Sequence, residues 1–192
     1  QGDAVLRVVL DAGGEVVAED LGIIPPFVRE SLGALQVPGY KVLRWERQWA
    51  VPGAPFCDPR HYPAHSVATS GTHDTDTLAT WWTDLDSDQR AAVLAIPSVQ
   101  ERAVQAALSP EEPFVPRVRD TLLETLWASG SDRVVIPAQD VFGWTDRINV
   151  PGTVDTLNWT WKLPWPVNAL ALQAECLERQ TTLRSWAHQH ER

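Results

Sequence analysis

The sequence lacks the features of several large protein classes. Its 192 residues include only two cysteines, Cys57 and Cys176, which lie far apart and form no CxxC pair, so neither a disulfide framework nor a zinc ribbon is expected. No apolar run approaches the roughly 18 residues of a membrane span. The formal net charge of −9 argues against nucleic-acid or anionic-membrane partners, because binding phosphate requires clustered Lys and Arg.

Motifs of the common catalytic classes are also missing. The chain contains no HExxH, no G-x-S-x-G nucleophile elbow and no glycine-rich phosphate loop. A metal hydrolase using His61, His65 and Asp74 is therefore a minor alternative, and a hydrolase using Ser70, His73 and Asp74 is a weaker one. The opening residues lack the basic and apolar regions of a signal peptide, and they suggest a fragment whose first helix has already begun.

The chain does contain short apolar runs that alternate with helix-like segments. Strands buried on both faces are predicted at residues 15–18, 40–45, 66–70 and 133–136. Helices are predicted at residues 25–35, 87–94, 117–128 and 169–188. Further helices must fill the long interval between the third and fourth strands. This alternation predicts an α/β fold with a parallel sheet.

Polar side chains follow three of the four predicted strands. These clusters are Glu19-Asp20, Thr72-His73-Asp74 and Gln139-Asp140. The carboxyl ends of the strands carry the functional site in α/β barrels and in open α/β sheets. Glu19 and Asp74 could there supply the proton donor and the charge-stabilising carboxylate of glycoside chemistry. The alternative at each position is a residue that only caps the next helix.

Tryptophan is frequent, with ten residues, which predicts either an aromatic core or a surface that stacks on flat ligands. Trp127 is expected in the core, and Trp81 with Trp82 could line a groove. Five others lie at or beyond the predicted strand ends, where they could stack on sugar rings or pack beneath loops: Trp45, Trp144, Trp159, Trp161 and Trp165.

An ordered set of motifs resembles the amylomaltases, which are 4-α-glucanotransferases also called disproportionating enzymes. The motifs are VVAEDLG (16–22), VPGYKVL (37–43), YPAHSVATSGTHDTDT (62–77), PAQDVFG (137–143), RINVPGT (147–153) and NWTWKLPW (158–165). The resemblance implies the C-terminal half, strands five to eight, of a (β/α)8 TIM barrel. Residues 1–192 would then form a single partial domain.

The resemblance also implies retaining transfer of a 1,4-α-glucan segment to glucose or another glucan. Glu19 would be the general acid/base, and Asp74 would be the carboxylate that stabilises the transition state. His73 would hydrogen-bond the sugar beside the scissile bond, and Asn149 would lie near the acceptor side. The family's nucleophile, an Asp in an R-x-D-H motif after strand four, has no counterpart in this chain.

These implications define the expected partners. The substrate would be a maltooligosaccharide or another α-1,4-glucan, with no metal or cofactor, and the location would be cytoplasmic. Activity would need the missing N-terminal half of the barrel, so the isolated chain is predicted to be inactive. The alternative is a catalytically inactive glucan-binding fragment.

Overall fold

The computed structural model describes all 192 residues and has a three-stranded sheet. The strands are Gly39–Val42 (β1), Ser66–Thr69 (β2) and Arg133–Val134 (β3). They lie in the order β1-β2-β3, with Gly39 opposite Ser66 and Val67 opposite Arg133. Both pairings are parallel, which confirms the predicted type of sheet and brings the carboxyl ends of all three strands to one edge.

Eight α-helices accompany the sheet. They are Gly2–Asp11 (α1), Pro26–Ala34 (α2), Leu78–Asp84 (α3), Ser87–Leu94 (α4), Pro97–Gln105 (α5), Pro116–Trp127 (α6), Ala138–Phe142 (α7) and Ala174–Gln189 (α8). Short 3-10 helices lie at Pro59–His61 and Val167–Leu172. The predictions for α2, α4 and α6 are confirmed to within two residues. Helices α3 to α6 fill the long interval between β2 and β3, as the spacing required. None of the helices combines the length and the hydrophobicity of a membrane span.

Four predicted elements were wrong in extent. The strand predicted at residues 40–45 ends at Val42, where a turn over residues 43–45 begins. Residues 15–18 form a single bridge, from Ala18 to Gly39, because this segment lies at the sheet edge with its side chains partly exposed. The last strand is two residues long and ends well before Pro137. The helix predicted over residues 169–188 is divided at Gln173, whose backbone is extended (φ −91°, ψ 125°).

The hydrophobic core lies between the sheet and helices α3 to α6. Its fully buried side chains include Trp82, Leu122 and Leu126. The indole Nε1 of Trp82 donates to the backbone oxygen of Glu112 at 2.9 Å, so the suggestion that Trp82 lines a groove was wrong. Trp127 packs against this core as expected. The core therefore packs the long β2–β3 connection against the sheet.

Candidate functional site

A pocket of about 330 Å³ opens at the carboxyl end of the sheet. Its lining combines residues from all three polar clusters that the sequence placed after strands. Glu19 follows the Ala18 bridge, His73 follows β2 and Gln139 follows β3, and all three line this pocket. The sequence-based expectation that these clusters converge is thus met by the geometry.

Glu19 and Asp20 are adjacent acidic residues that follow the Ala18 bridge, and they make different contacts. Asp20 Oδ1 accepts a hydrogen bond from the backbone N–H of Tyr40 at 2.8 Å. Its carboxylate packs so closely on Gly39 that a Cβ there would lie 2.3 Å from Oδ1. Asp20 therefore links the residues after the Ala18 bridge to β1, whereas Glu19 lines the pocket.

His73, Asp74 and Asn149 form one cluster beside the pocket. Asn149 Nδ2 donates to Asp74 Oδ1 at 2.6 Å, and the Asn149 backbone N–H donates to the backbone oxygen of His73 at 3.2 Å. His73 Nε2 lies 3.4 Å from the same Asp74 oxygen. The ring of His73 also contacts the exposed indole of Trp159, with 5.0 Å between centroids. The structure thus brings together the three residues that the resemblance named on the loops after β2 and β3.

Asp140 belongs to the third polar cluster but supports the fold. Its carboxylate is buried and accepts hydrogen bonds from Ser70 Oγ at 2.5 Å and from the Leu78 backbone N–H at 2.6 Å. Burial raises the pKa of Asp140, while these two donors and the charge of Arg44 oppose that rise. Because Ser70 is fully buried and bound to Asp140, the Ser70–His73–Asp74 hydrolase has no accessible nucleophile.

The metal alternative also lacks the necessary geometry. His65 Nε2 lies 2.6 Å from the backbone oxygen of Gln36, before β2 begins, whereas Asp74 follows the other end of that strand. The four extended residues of β2 alone span about 13 Å, and His65 and Asp74 lie beyond opposite ends of that strand. No group of three or more His, Cys, Asp or Glu side chains is placed to hold a metal ion.

Two arginines that the sequence patterns did not single out support the site. Arg44, behind the pocket, donates from Nε to the Ser70 backbone oxygen at 3.3 Å and lies 5.1 Å from the ring centre of Trp81. Burial lowers the pKa of Arg44 to about 10, and the charge of Asp140 partly offsets this. Arg147 contacts the carboxylate of Asp76, and its place in the RINVPGT motif was the only sequence signal for it.

Among the tryptophans beyond the strand ends, some line the pocket and others pack against neighbouring aromatic rings. Trp161 lines the pocket, and its ring centre lies 6.2 Å from that of Trp144. Trp144 stacks on Phe142, with 4.4 Å between the ring centres, and its ring centre lies 5.7 Å from that of Trp165. Of these rings, Trp161 is therefore the one placed to meet a ligand in the pocket, whereas Trp144 and Trp165 pack against other aromatic rings.

Carboxylates, an imidazole and an indole gathered at the carboxyl end of a parallel sheet define an α/β protein of the kind that carries its site on the loops after its strands. The chain belongs to the 4-alpha-glucanotransferase family, whose sequence model matches residues 3–168. The motif-based resemblance to the amylomaltases is thereby confirmed.

Individual relatives agree with this assignment. The 4-alpha-glucanotransferase of Chlamydia pneumoniae is 32% identical over 180 residues, covering 90% of this chain and 33% of the relative. That of Thermus thermophilus is 32% identical over 168 residues, covering 84% and 31%. The chain thus spans about a third of the length of these curated relatives.

Solved structures show the same fold. An amylomaltase from Streptococcus agalactiae in complex with acarbose matches with a TM-score of 0.67 at 24% identity, covering 92% of this chain and 32% of that chain. An amylomaltase from Corynebacterium glutamicum matches with a TM-score of 0.62 at 21% identity, covering 89% and 29%.

Proposed function

We propose that this chain is the C-terminal catalytic part of a 4-α-glucanotransferase. The whole enzyme would move a segment of a 1,4-α-glucan to the 4-hydroxyl of glucose or of another glucan. One observation carries the proposal: Glu19 and His73 open into a single pocket, and Asn149 holds Asp74 directly beside His73. These are the residues of the AEDLG, GTHD and RINVPGT motifs on which the family resemblance rests.

The proposal includes the architecture of the whole enzyme. Residues 1–192 would form one partial domain that supplies strands five to eight of a (β/α)8 barrel, with the Ala18 bridge marking the fifth. The parallel order β1-β2-β3 and the length of chain matched in the relatives support this arrangement. The nucleophilic Asp would come from the remainder of the barrel, which this chain needs as its partner.

Glu19 would act as the general acid and then as the general base. It would protonate the leaving glycosidic oxygen while the nucleophile attacks the anomeric carbon, and it would then take the proton of the acceptor's 4-hydroxyl. Asp74 would stabilise the positive charge of the oxocarbenium-like transition state. The hydrogen bond from Asn149 occupies Oδ1 of Asp74 and leaves Oδ2 without a protein donor.

The pocket lining supports transfer to a sugar in preference to water. Val135, Ile148 and Trp161 provide an apolar wall, and the tilted indole of Trp159 contacts the His73 ring. Aromatic and apolar surfaces of this kind bind sugar faces and exclude water from the reacting bond. The proposal requires neither a metal nor a cofactor. It assigns a cytoplasmic location, where the free thiols of Cys57 and Cys176 would remain reduced.

The test is disproportionation of maltotriose, followed by thin-layer chromatography. Residues 1–192 are assayed joined to the remaining barrel, taken from the natural upstream coding sequence or from the Chlamydia pneumoniae relative. We expect glucose and a ladder of longer maltooligosaccharides. Glu19→Gln and Asp74→Asn should each lower the rate by about 10²- to 10⁴-fold, because a proton donor and a charge stabiliser contribute on that scale.

Controls separate these roles from simple loss of charge. Glu15→Gln removes an exposed carboxylate that pairs with Arg133, and it should leave the rate unchanged. Residues 1–192 alone should produce no ladder, because they lack the R-x-D-H motif. If the joined protein binds maltoheptaose in calorimetry but transfers nothing, the inactive glucan-binding alternative is correct. A wild-type rate in Glu19→Gln would refute its acid/base role.

A further inference from the structure

Arg147 joins the loop after β3 to the loop after β2. Its guanidinium contacts the carboxylate of Asp76, and its Nη2 donates to the backbone oxygen of Asp74 at 2.9 Å. Its Nε donates to the backbone oxygen of Asn149 at 3.2 Å. One planar group therefore binds two loops whose contacting residues lie 73 positions apart in the sequence.

The two loops that Arg147 joins also carry Asp74 and Asn149. The Asn149 amide reaches Asp74 Oδ1 at 2.6 Å, and the Asn149 backbone N–H reaches the His73 oxygen at 3.2 Å. Both hydrogen bonds depend on the same separation between the loops that Arg147 spans. Moving either loop would therefore break the contact that orients the Asp74 carboxylate.

We propose that Arg147 is a positioning residue for glucan transfer, an inference that rests on the proposed function. It holds Asp74, the charge-stabilising carboxylate, and Asn149, on the acceptor side, as one unit, so that the carboxylate is already placed when the acceptor enters. Electrostatic stabilisation depends on such preorganisation. Arg147 acts through Asp74 and Asn149 and does not itself need to touch the substrate.

The geometry requires arginine and not simply a positive charge. Guanidinium presents several N–H groups in a rigid plane, whereas the ammonium of lysine is a point charge on a flexible stem. A lysine at position 147 could pair with Asp76 but could not keep both carbonyl contacts. The ion pair is partly exposed, with 27% of the Arg147 and 42% of the Asp76 side chain accessible, so it should contribute only about 0–1 kcal/mol to stability.

A kinetic comparison of Arg147→Lys, Arg147→Met and Asp76→Asn tests the proposal. The assay uses the joined barrel, with maltotriose as donor and isotopically labelled glucose as acceptor, and follows the label into maltotriose, because transfer to unlabelled glucose re-forms the donor. We expect kcat to fall about 10-fold for Arg147→Lys and about 100-fold for Arg147→Met, because a displacement near 1 Å can cost that much. KM for maltotriose should change less than about threefold, since donor binding does not use the Asn149 side. Asp76→Asn should have the smallest effect, because both carbonyl contacts remain.

The matched control is Arg117→Met. It removes an arginine that pairs with Glu112 at 2.5 Å on the first turn of α6, outside the pocket, and it should keep the wild-type kcat.

Melting temperatures of the Arg147 variants should lie within about 4 °C of the wild type. A wild-type kcat in Arg147→Met, or a kcat loss that simply follows the loss of folded protein in both Arg147 variants, overturns the positioning role. The proposed function is then still supported by Glu19→Gln. If the wild type itself makes no ladder, both proposals fail.

Discussion

At the scale of single residues, Asp140 shows how a polar residue after a strand can serve the fold. It is 1% exposed and accepts hydrogen bonds from Ser70 Oγ and from the backbone N–H of Leu78. Leu78 opens α3, so the carboxylate ties the beginning of that helix to the ends of β2 and β3. The loop that carries His73 and Asp74 lies between these two contacts and is thereby held at both ends.

We expect Asp140→Ala to lower the free energy of unfolding by about 2–4 kcal/mol, because two buried donors lose their acceptor. Asp140→Asn should cost less, since its amide oxygen can still accept from Leu78. Urea unfolding followed by far-UV circular dichroism measures both changes. As a control, Asp88→Asn changes an exposed carboxylate in the first turn of α4 and should cost less than about 1 kcal/mol. Equal stability of Asp140→Ala and the wild type would show that the Asp140 carboxylate does not stabilise the junction of α3 with β2 and β3.

The raised pKa of Asp140 also predicts a pH dependence. Because its folded pKa lies above the ordinary value of 3.8, the folded chain holds this proton more tightly than the unfolded chain. The contribution of this group to stability is therefore greatest below pH 3.8 and declines as the pH rises through the folded pKa. Unfolding free energies measured from about pH 4 to about pH 7 should fall in the wild type relative to Asp140→Asn. If the difference in unfolding free energy between the wild type and Asp140→Asn stays constant with pH, the raised pKa of Asp140 is contradicted.

Residue patterns predicted which side chains come together better than they predicted which are buried. The position after a strand and the family motifs indicated Glu19, His73, Asp74 and Asn149, and the structure gathers these residues at one edge of the sheet. The same pattern could not separate Glu19 from Asp140, because both are acidic residues shortly after a strand. Which one is buried depends on α3 and β2, and these elements lie far away in the sequence.

At the scale of elements, helices were predicted more accurately than strands because their signals are local. The helix predicted over residues 87–94 has these bounds in the structure, with Asp86 as its N-cap in a capping box with Gln89. Strand length instead depends on neighbours. Residues 15–18 are rich in β-branched side chains, yet they pair only at Ala18.

Alanine substitutions at two glycines are expected to change the free energy of unfolding in opposite directions. Gly130 lies in the turn before β3, where a Cβ would meet the Tyr62 backbone oxygen at 2.4 Å and the Arg60 oxygen at 2.8 Å. Gly33 lies within α2 and has open space around its Cβ position. Gly130→Ala should therefore lower the free energy of unfolding by about 1–3 kcal/mol, whereas Gly33→Ala should raise it by about 0.5–1 kcal/mol.

Thermal unfolding of the two variants under identical conditions measures this contrast. The Gly33→Ala variant is the matched control, because it adds the same methyl group without meeting another atom. Destabilisation by both substitutions would mean that α2 is held by tertiary contacts that the alanine disturbs. An unchanged Gly130→Ala protein would show that the turn before β3 can move away from Tyr62, and β3 would then be less firmly placed than the structure indicates.

At the scale of the whole molecule, apolar side chains remain exposed around α1 and α2. They are Val5, Val8, Val9, Ile23 and Phe27. Single exposed apolar residues are ordinary, but a cluster on neighbouring segments marks a surface that another protein layer covers. The edge of β1 that faces away from β2 has one backbone pairing, at Ala18, and one side-chain contact, from Asp20 to the Tyr40 N–H, so its remaining backbone groups are open to another strand.

We therefore expect the isolated chain to associate with itself, because both the apolar cluster and the open strand edge favour contact with a second copy. Sedimentation velocity should show a weight-average mass that rises with protein concentration above that of the 21.4 kDa chain. Val8→Asp combined with Phe27→Asp should reduce this rise, since each places a charge within the cluster. Val104→Asp is the control, because Val104 is as exposed (74%) but lies on α5. Joining the chain to the rest of the proposed barrel should abolish the association if, as that proposal requires, the other half covers the same surface. A joined protein that still associates through Val8 and Phe27 would mean that this surface is an interface between whole enzymes and not a contact inside one barrel.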